Sequence, residues 1–160
     1  MTAPGESAGP VRPAVALVLT LIGFLAVVIA GFGFVSLATD SDVVSVPSLG
    51  PLPGVIAVAG AGAAYAGVTA RAVGARHPRY RSAAVVAAAA WAAYGLAGAV
   101  AAALGTGDLV TGAVLLGALW VGWPGLVVAA AAAVAAWSAV ALVRTRAGRP
   151  QWPWEGDDDE

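Results

Sequence analysis

The chain has 160 residues, 60 % of them hydrophobic and only 11 % charged, whereas a water-soluble domain is typically about a quarter charged, so a lipid bilayer is the expected solvent. A formal net charge of −1 excludes the strong positive field by which nucleic-acid binders find their partner. The chain holds no cysteine, which removes disulfides, thiolate metal sites and cysteine nucleophiles.

Residues 1–12, MTAPGESAGPVR, are too polar and too rich in Gly, Pro and Ser to bury a core, and read as a flexible tail. An uncharged apolar run over 13–38 follows, opening on Pro13 where a helix start tolerates the missing N–H. Arg12 ahead of it and Ser36-Leu37-Ala38 behind it fit a secretory signal peptide. The run nevertheless exceeds the ~7–15 residues of a signal core, and further apolar segments follow, so it is read as the first span. Asp40, Asp42, Pro47, Pro51 and Pro53 then break the helix.

A second span covers 54–73 and leads into the basic cluster Arg71, Arg76, His77, Arg79 and Arg81. A third covers 82–104 and stops at the GTGD sequence. The next apolar stretch, 109–143, is too long for one perpendicular crossing, which needs ~20 residues. Counting back from Arg144 puts the fourth span at 124–143. Residues 109–121 are then a short helix or re-entrant segment at the outer surface, with Trp120 and Trp123 at the level of an interfacial aromatic belt. A single long tilted helix kinked at Pro124 is the competing reading. Residues 144–160 form a disordered acidic tail.

The arginines fix an orientation, because Arg and Lys in short loops are retained on the cytoplasmic side. Arg12 lies in the first tail, Arg76, Arg79 and Arg81 in the second connection, and Arg144, Arg146 and Arg149 in the last tail; the other two connections carry none. The expected fold is therefore an all-α integral membrane four-helix bundle in the cell membrane, both termini cytoplasmic, with an extra helix before the fourth span.

An ionisable group inside the hydrocarbon region would mark an ion path or proton relay, and the spans contain no charged residue there, Arg71 lying in the last turn of the second span where it can reach the interface. Their polar groups are Thr20, Ser36, Tyr65, Thr69, Tyr94 and Ser138, with indole donors at Trp91 and Trp137. Such groups ordinarily bond to their own helix or a neighbour; a polar line through Tyr65 and Tyr94 is the functional alternative. Small residues at four-residue spacing recur in the second span, and the face bearing Gly60, Ala63 and Gly67 is the expected tight helix contact, within the bundle or with another subunit.

Arg76, Arg79 and Arg81, beside His77 and Tyr80, form a topology determinant that could also hold anionic headgroups. Trp152 and Trp154, braced by prolines before an acidic run, suit the headgroup region or a partner's groove, and a solvated chain end with interfacial Trp is the favoured reading over a docking peptide. His77 alone makes no metal site. No phosphate-binding loop, nucleophile elbow, paired-His motif or dinucleotide fingerprint occurs, so neither catalysis nor a cofactor is expected.

The connection DSDVVSVPSLGPLPG and the arginine-then-WPWE acidic ending resemble those of small four-span actinobacterial membrane proteins of unknown function. That resemblance implies no reaction. The expected role is a non-catalytic subunit or scaffold that meets the bilayer, a membrane-protein partner or its own copies; a small oligomeric transporter or channel is the alternative.

Overall fold

Helix starts and stops follow local chemistry. In a computed structural model describing residues 12–41, 43, 50–74 and 80–144, the elements are α1 (Pro13–Thr39), α2 (Leu52–Val73), α3 (Ser82–Thr106), α4 (Leu109–Val121) and α5 (Trp123–Arg144). Prolines stand in the first turns of α1 and α2, where the unpaired N–H they lack is no loss. α1 ends as Asp40 turns left-handed at φ 48°, a conformation Asp tolerates better than most residues. Gly107, at φ 69°, ends α3 in the same way without a Cβ penalty.

Asp108 then caps α4. Its carboxylate accepts from the Val110 and Thr111 amides at 3.0 Å each and from the Thr111 hydroxyl at 2.6 Å. These satisfy donors that a helix start leaves unpaired. α4 and α5 are separate helices because Gly122 takes an extended conformation (φ −73°, ψ 165°) just before Pro124.

The neighbours of each helix give the topology. Phe24 of α1 stacks on Tyr65 of α2, with centroids 4.8 Å apart. Gly60 of α2 faces Ala93 and Ala97 of α3. Gly31 of α1 meets Val127 of α5, while Leu19 and Leu142 line one groove between the same two helices. α4 packs lengthwise on α3: Gly112 meets Ala99 and Ala103, Leu119 meets Gly98, and Trp120 meets Gly95. α5 continues in the same direction, with Gly125 beside Trp91 and Trp137 beside Tyr80. The bundle is therefore up, down, up, and down again along a path broken at Gly122.

This alternation gathers the charges. Arg12, Arg71, Arg81 and Arg144 all stand at one end, at helix starts or final turns, while Asp40 and Asp108 stand at the other. At 27, 22, 25 and 22 residues, α1, α2, α3 and α5 reach at least ~33 Å at ~1.5 Å per residue, enough for a hydrocarbon core of ~30 Å. The 13 residues of α4 reach only ~20 Å. The core between the helices combines Ala57, Ala61, Ala90 and Ala132 with the fully buried Phe24, Tyr65, Tyr94, Leu115 and Leu119.

Candidate functional site

Between α2 and α3, small side chains let the backbones come together. A Cβ built on Gly60 would lie 2.5 Å from the Ala97 Cβ and 3.3 Å from the Ala93 carbonyl oxygen. From the other side, one built on Gly98 would lie 3.1 Å from the Ala57 Cβ and 2.6 Å from Leu119 Cδ1. Of the three residues expected to share a contact face, Gly60 meets α3, Ala63 is exposed, and Gly67 has only the Arg71 side chain near its Cα. The Gly67 carbonyl accepts from Arg71 Nη1 at 3.0 Å, which places the guanidinium on the negative end of α2.

Gly95 and Gly98 were not singled out by the sequence, although their three-residue spacing on α3 is the complementary small-residue signal. They matter because each leaves room for a large side chain of α4. Trp120 fills the space over Gly95 and stacks on Trp91 with centroids 5.0 Å apart. Trp120 thus departs from the interfacial role its position suggested: its indole N–H is buried with no partner. Trp123 fits that role better, since its Nε1 donates to Ser41 Oγ at 3.2 Å and its ring meets Phe32 edge-on.

Inside the bundle the polar groups are few. Thr20 donates back to the Ala16 carbonyl at 2.8 Å, and Ser138 to Val134 at 2.9 Å, the usual resolution for a helical hydroxyl. The Tyr65 hydroxyl faces those of Thr20 and Thr69 but at no geometry that makes a bond, so Tyr65 Oη and Thr69 Oγ1 are buried without partners, as is Tyr94 Oη. Tyr65 and Tyr94 sit under different rings of α1, Phe24 and Phe32, eight positions apart. That separation is ~12 Å along the helix, so the two hydroxyls belong to different levels of the bundle.

At the basic end, Arg81 precedes α3 and is exposed, and Tyr80 packs on Trp137 with centroids 5.9 Å apart. Arg76, His77, Arg79, Trp152 and Trp154 lie outside the described residues. Among the described residues no group of three or more His, Cys, Asp or Glu comes together to hold a metal. A groove of about 280 Å³ runs between α1 and α5; its walls include Leu19, Gly23, Val27, Val134 and Leu142, with Thr20 and Ser138 as its polar members.

These features define a class: among the described residues, an all-α fold of five helices, four of them long and apolar enough to cross a membrane. The chain belongs to a family of unknown function, DUF6121, whose family model matches residues 12–160. No curated protein and no solved structure matches it.

Proposed function

We propose that this protein is a multi-pass component of the cell membrane, with both termini in the cytoplasm, that acts as a non-catalytic subunit or scaffold by packing against other membrane helices. The gathering of arginines at one bundle end supports the orientation, through their retention on the cytoplasmic side. The observation that carries the role is the filled interior. Phe24, Tyr65, Tyr94, Leu115 and Leu119 occupy the space between helices, and the groove beside α1 lies at the bundle surface, where Leu19, Val27 and Val134 are exposed. Such an interior suits a packing role better than a conduit.

Outward small residues offer places for a partner helix: Ala63 is exposed, and Gly23 and Gly33 have nothing within 4 Å of a built Cβ. Close backbone approach at small residues is a main source of association energy in lipid. The Trp152 and Trp154 tail would present a second contact to a cytoplasmic partner. Mild-detergent extraction of the full chain, and of a chain ending at residue 144, tests this. A partner or a homo-oligomer should co-purify with the full chain; a lone monomer from both would contradict the role.

A second reading, a small oligomeric transporter or channel, is favoured by one feature, the break between α4 and α5 at Gly122. Broken helices line substrate sites in many transporters. Uptake or leak in liposomes across a broad panel of ions and small solutes would support it, and tight liposomes throughout would count against it.

A further inference from the structure

The seam between α1 and α5 is closed towards the acidic end of the bundle and open towards the basic end. A Cβ built on Gly31 would lie 2.7 Å from Val127 Cγ1, so there the two helices touch. Two turns nearer the basic end, Gly23 has nothing within 4 Å of a built Cβ and lines the groove of about 280 Å³. On α5 the groove runs from Ala131 to Leu142, ~16 Å along the helix axis and about half of a hydrocarbon core of ~30 Å. Leu142 stands two positions before Arg144. The groove is therefore one leaflet deep, in the leaflet on the side of the arginines. A helix that crosses the bilayer needs a seam of twice that length, whereas one acyl chain does not.

The walls suit the same occupant. They are aliphatic apart from Thr20 and Ser138, whose hydroxyls already donate to the Ala16 and Val134 carbonyls at 2.8 and 2.9 Å, so neither wall presents a donor that an apolar chain would leave unpaired. At the mouth the chemistry changes. The antiparallel register that sets Gly31 opposite Val127 brings Arg144 opposite residue 14, two positions from Arg12, which is exposed at the start of α1. Basic positions between membrane helices attract anionic headgroups. We propose that the α1–α5 groove binds one anionic glycerophospholipid, with an acyl chain lying along Gly23 and the phosphate between Arg12 and Arg144. Lipid over Gly23 leaves Ala63 and Gly33 as the positions open to a partner helix. The inference rests on the membrane placement of the bundle and not on the subunit role.

Electron paramagnetic resonance of the full chain in phosphatidylcholine vesicles tests it, with a trace of phosphatidylglycerol or phosphatidylcholine spin-labelled on the acyl chain. Lipid immobilised around every variant reports insertion, so the preference between the two headgroups reads the site alone. Phosphatidylglycerol should be preferred by more than about tenfold at one site per chain, since each arginine contributes roughly fivefold. Gly23→Leu, which fills the groove, should abolish the preference, whereas Gly33→Leu, also facing open space on α1, should keep it. Arg12→Gln changes an exposed side chain and should lower the preference about fivefold. Equal immobilisation of the two lipids by the wild-type chain would overturn the proposal, as would a preference that survives Gly23→Leu. Disulfide-linked dimers formed in the vesicles by Val27→Cys would also overturn it, because a second copy would then occupy the groove.

Discussion

Glycines in this chain divide by what stands over them. A side chain at Gly60 meets Ala97 and the Ala93 backbone, which have no free torsion with which to yield. A side chain at Gly33 meets open space. Gly60→Val should therefore cost about 1–3 kcal/mol, the usual penalty of overpacking, whereas Gly33→Ala should be neutral or gain about 0.5–1 kcal/mol by removing a helix-interior glycine. Reversible unfolding in mixed micelles measures both. Equal losses at the two positions would show that Gly60 is not tightly packed against α3. Spacing alone could not separate these cases, since small residues at four-residue intervals recur throughout so Ala-rich a sequence. Whether one makes contact depends on the partner helix offering its own small residue opposite, as Ala93 and Ala97 do for Gly60 and no residue does for Gly67.

At the scale of elements, α4 depends on its cap. The Thr111 hydroxyl and the Val110 and Thr111 amides hold the Asp108 carboxyl below its ordinary range. A carboxylate whose folded pKa is depressed contributes its stability in full above the unfolded value of ~3.9 and loses it as pH falls through the lower folded value. The stacked pair of Trp91 and Trp120 should give an exciton couplet in circular dichroism, and it reports on α4 because Trp120 lies in its last turn. The couplet should hold from neutral pH to about pH 5 and fade only in stronger acid. Asp108→Ala should weaken it already at neutral pH and remove the acid transition. A wild-type couplet lost above pH 5 would assign the transition to another group. The existence of these elements was legible in the sequence: apolar length revealed four long helices, and counting back ~20 residues from Arg144 pointed to a break near Pro124, against the competing reading of one long kinked helix. That α4 runs down α3 was not legible, because hydropathy reports only that a segment is apolar. The contact is specified by Gly112 against Ala103 and Trp120 against Gly95, pairings between segments whose faces look alike in sequence. The buried hydroxyls were partly legible: Tyr65, Thr69 and Thr20 stand out as polar groups in apolar runs, but only the packing brings them to one level while Tyr94 stays apart.

For the whole molecule, the decisive property is the segregation of charge between the ends of an alternating bundle. Arg12, Arg71, Arg81 and Arg144 at one end and Asp40 and Asp108 at the other make the polarity on which the proposed orientation rests, since insertion machinery retains Arg in short loops on the cytoplasmic side. Arg76→Glu, Arg79→Glu and Arg81→Glu together remove most of the positive charge of the second connection, and should yield a fraction of molecules with mixed topology. Protease protection of the C-terminal tail in sealed vesicles measures that fraction; an unchanged single topology would show that the flanking tails suffice alone. The natural absence of cysteine makes the most direct test of the whole account simple. Single cysteines replacing Ser7, His77, Asp108 and Asp157 are probed on intact cells with a membrane-impermeant maleimide. Four crossings with both ends cytoplasmic predict labelling at position 108 alone, with 7, 77 and 157 reacting only after permeabilisation; labelling at 77, or at one terminus but not the other, would contradict it.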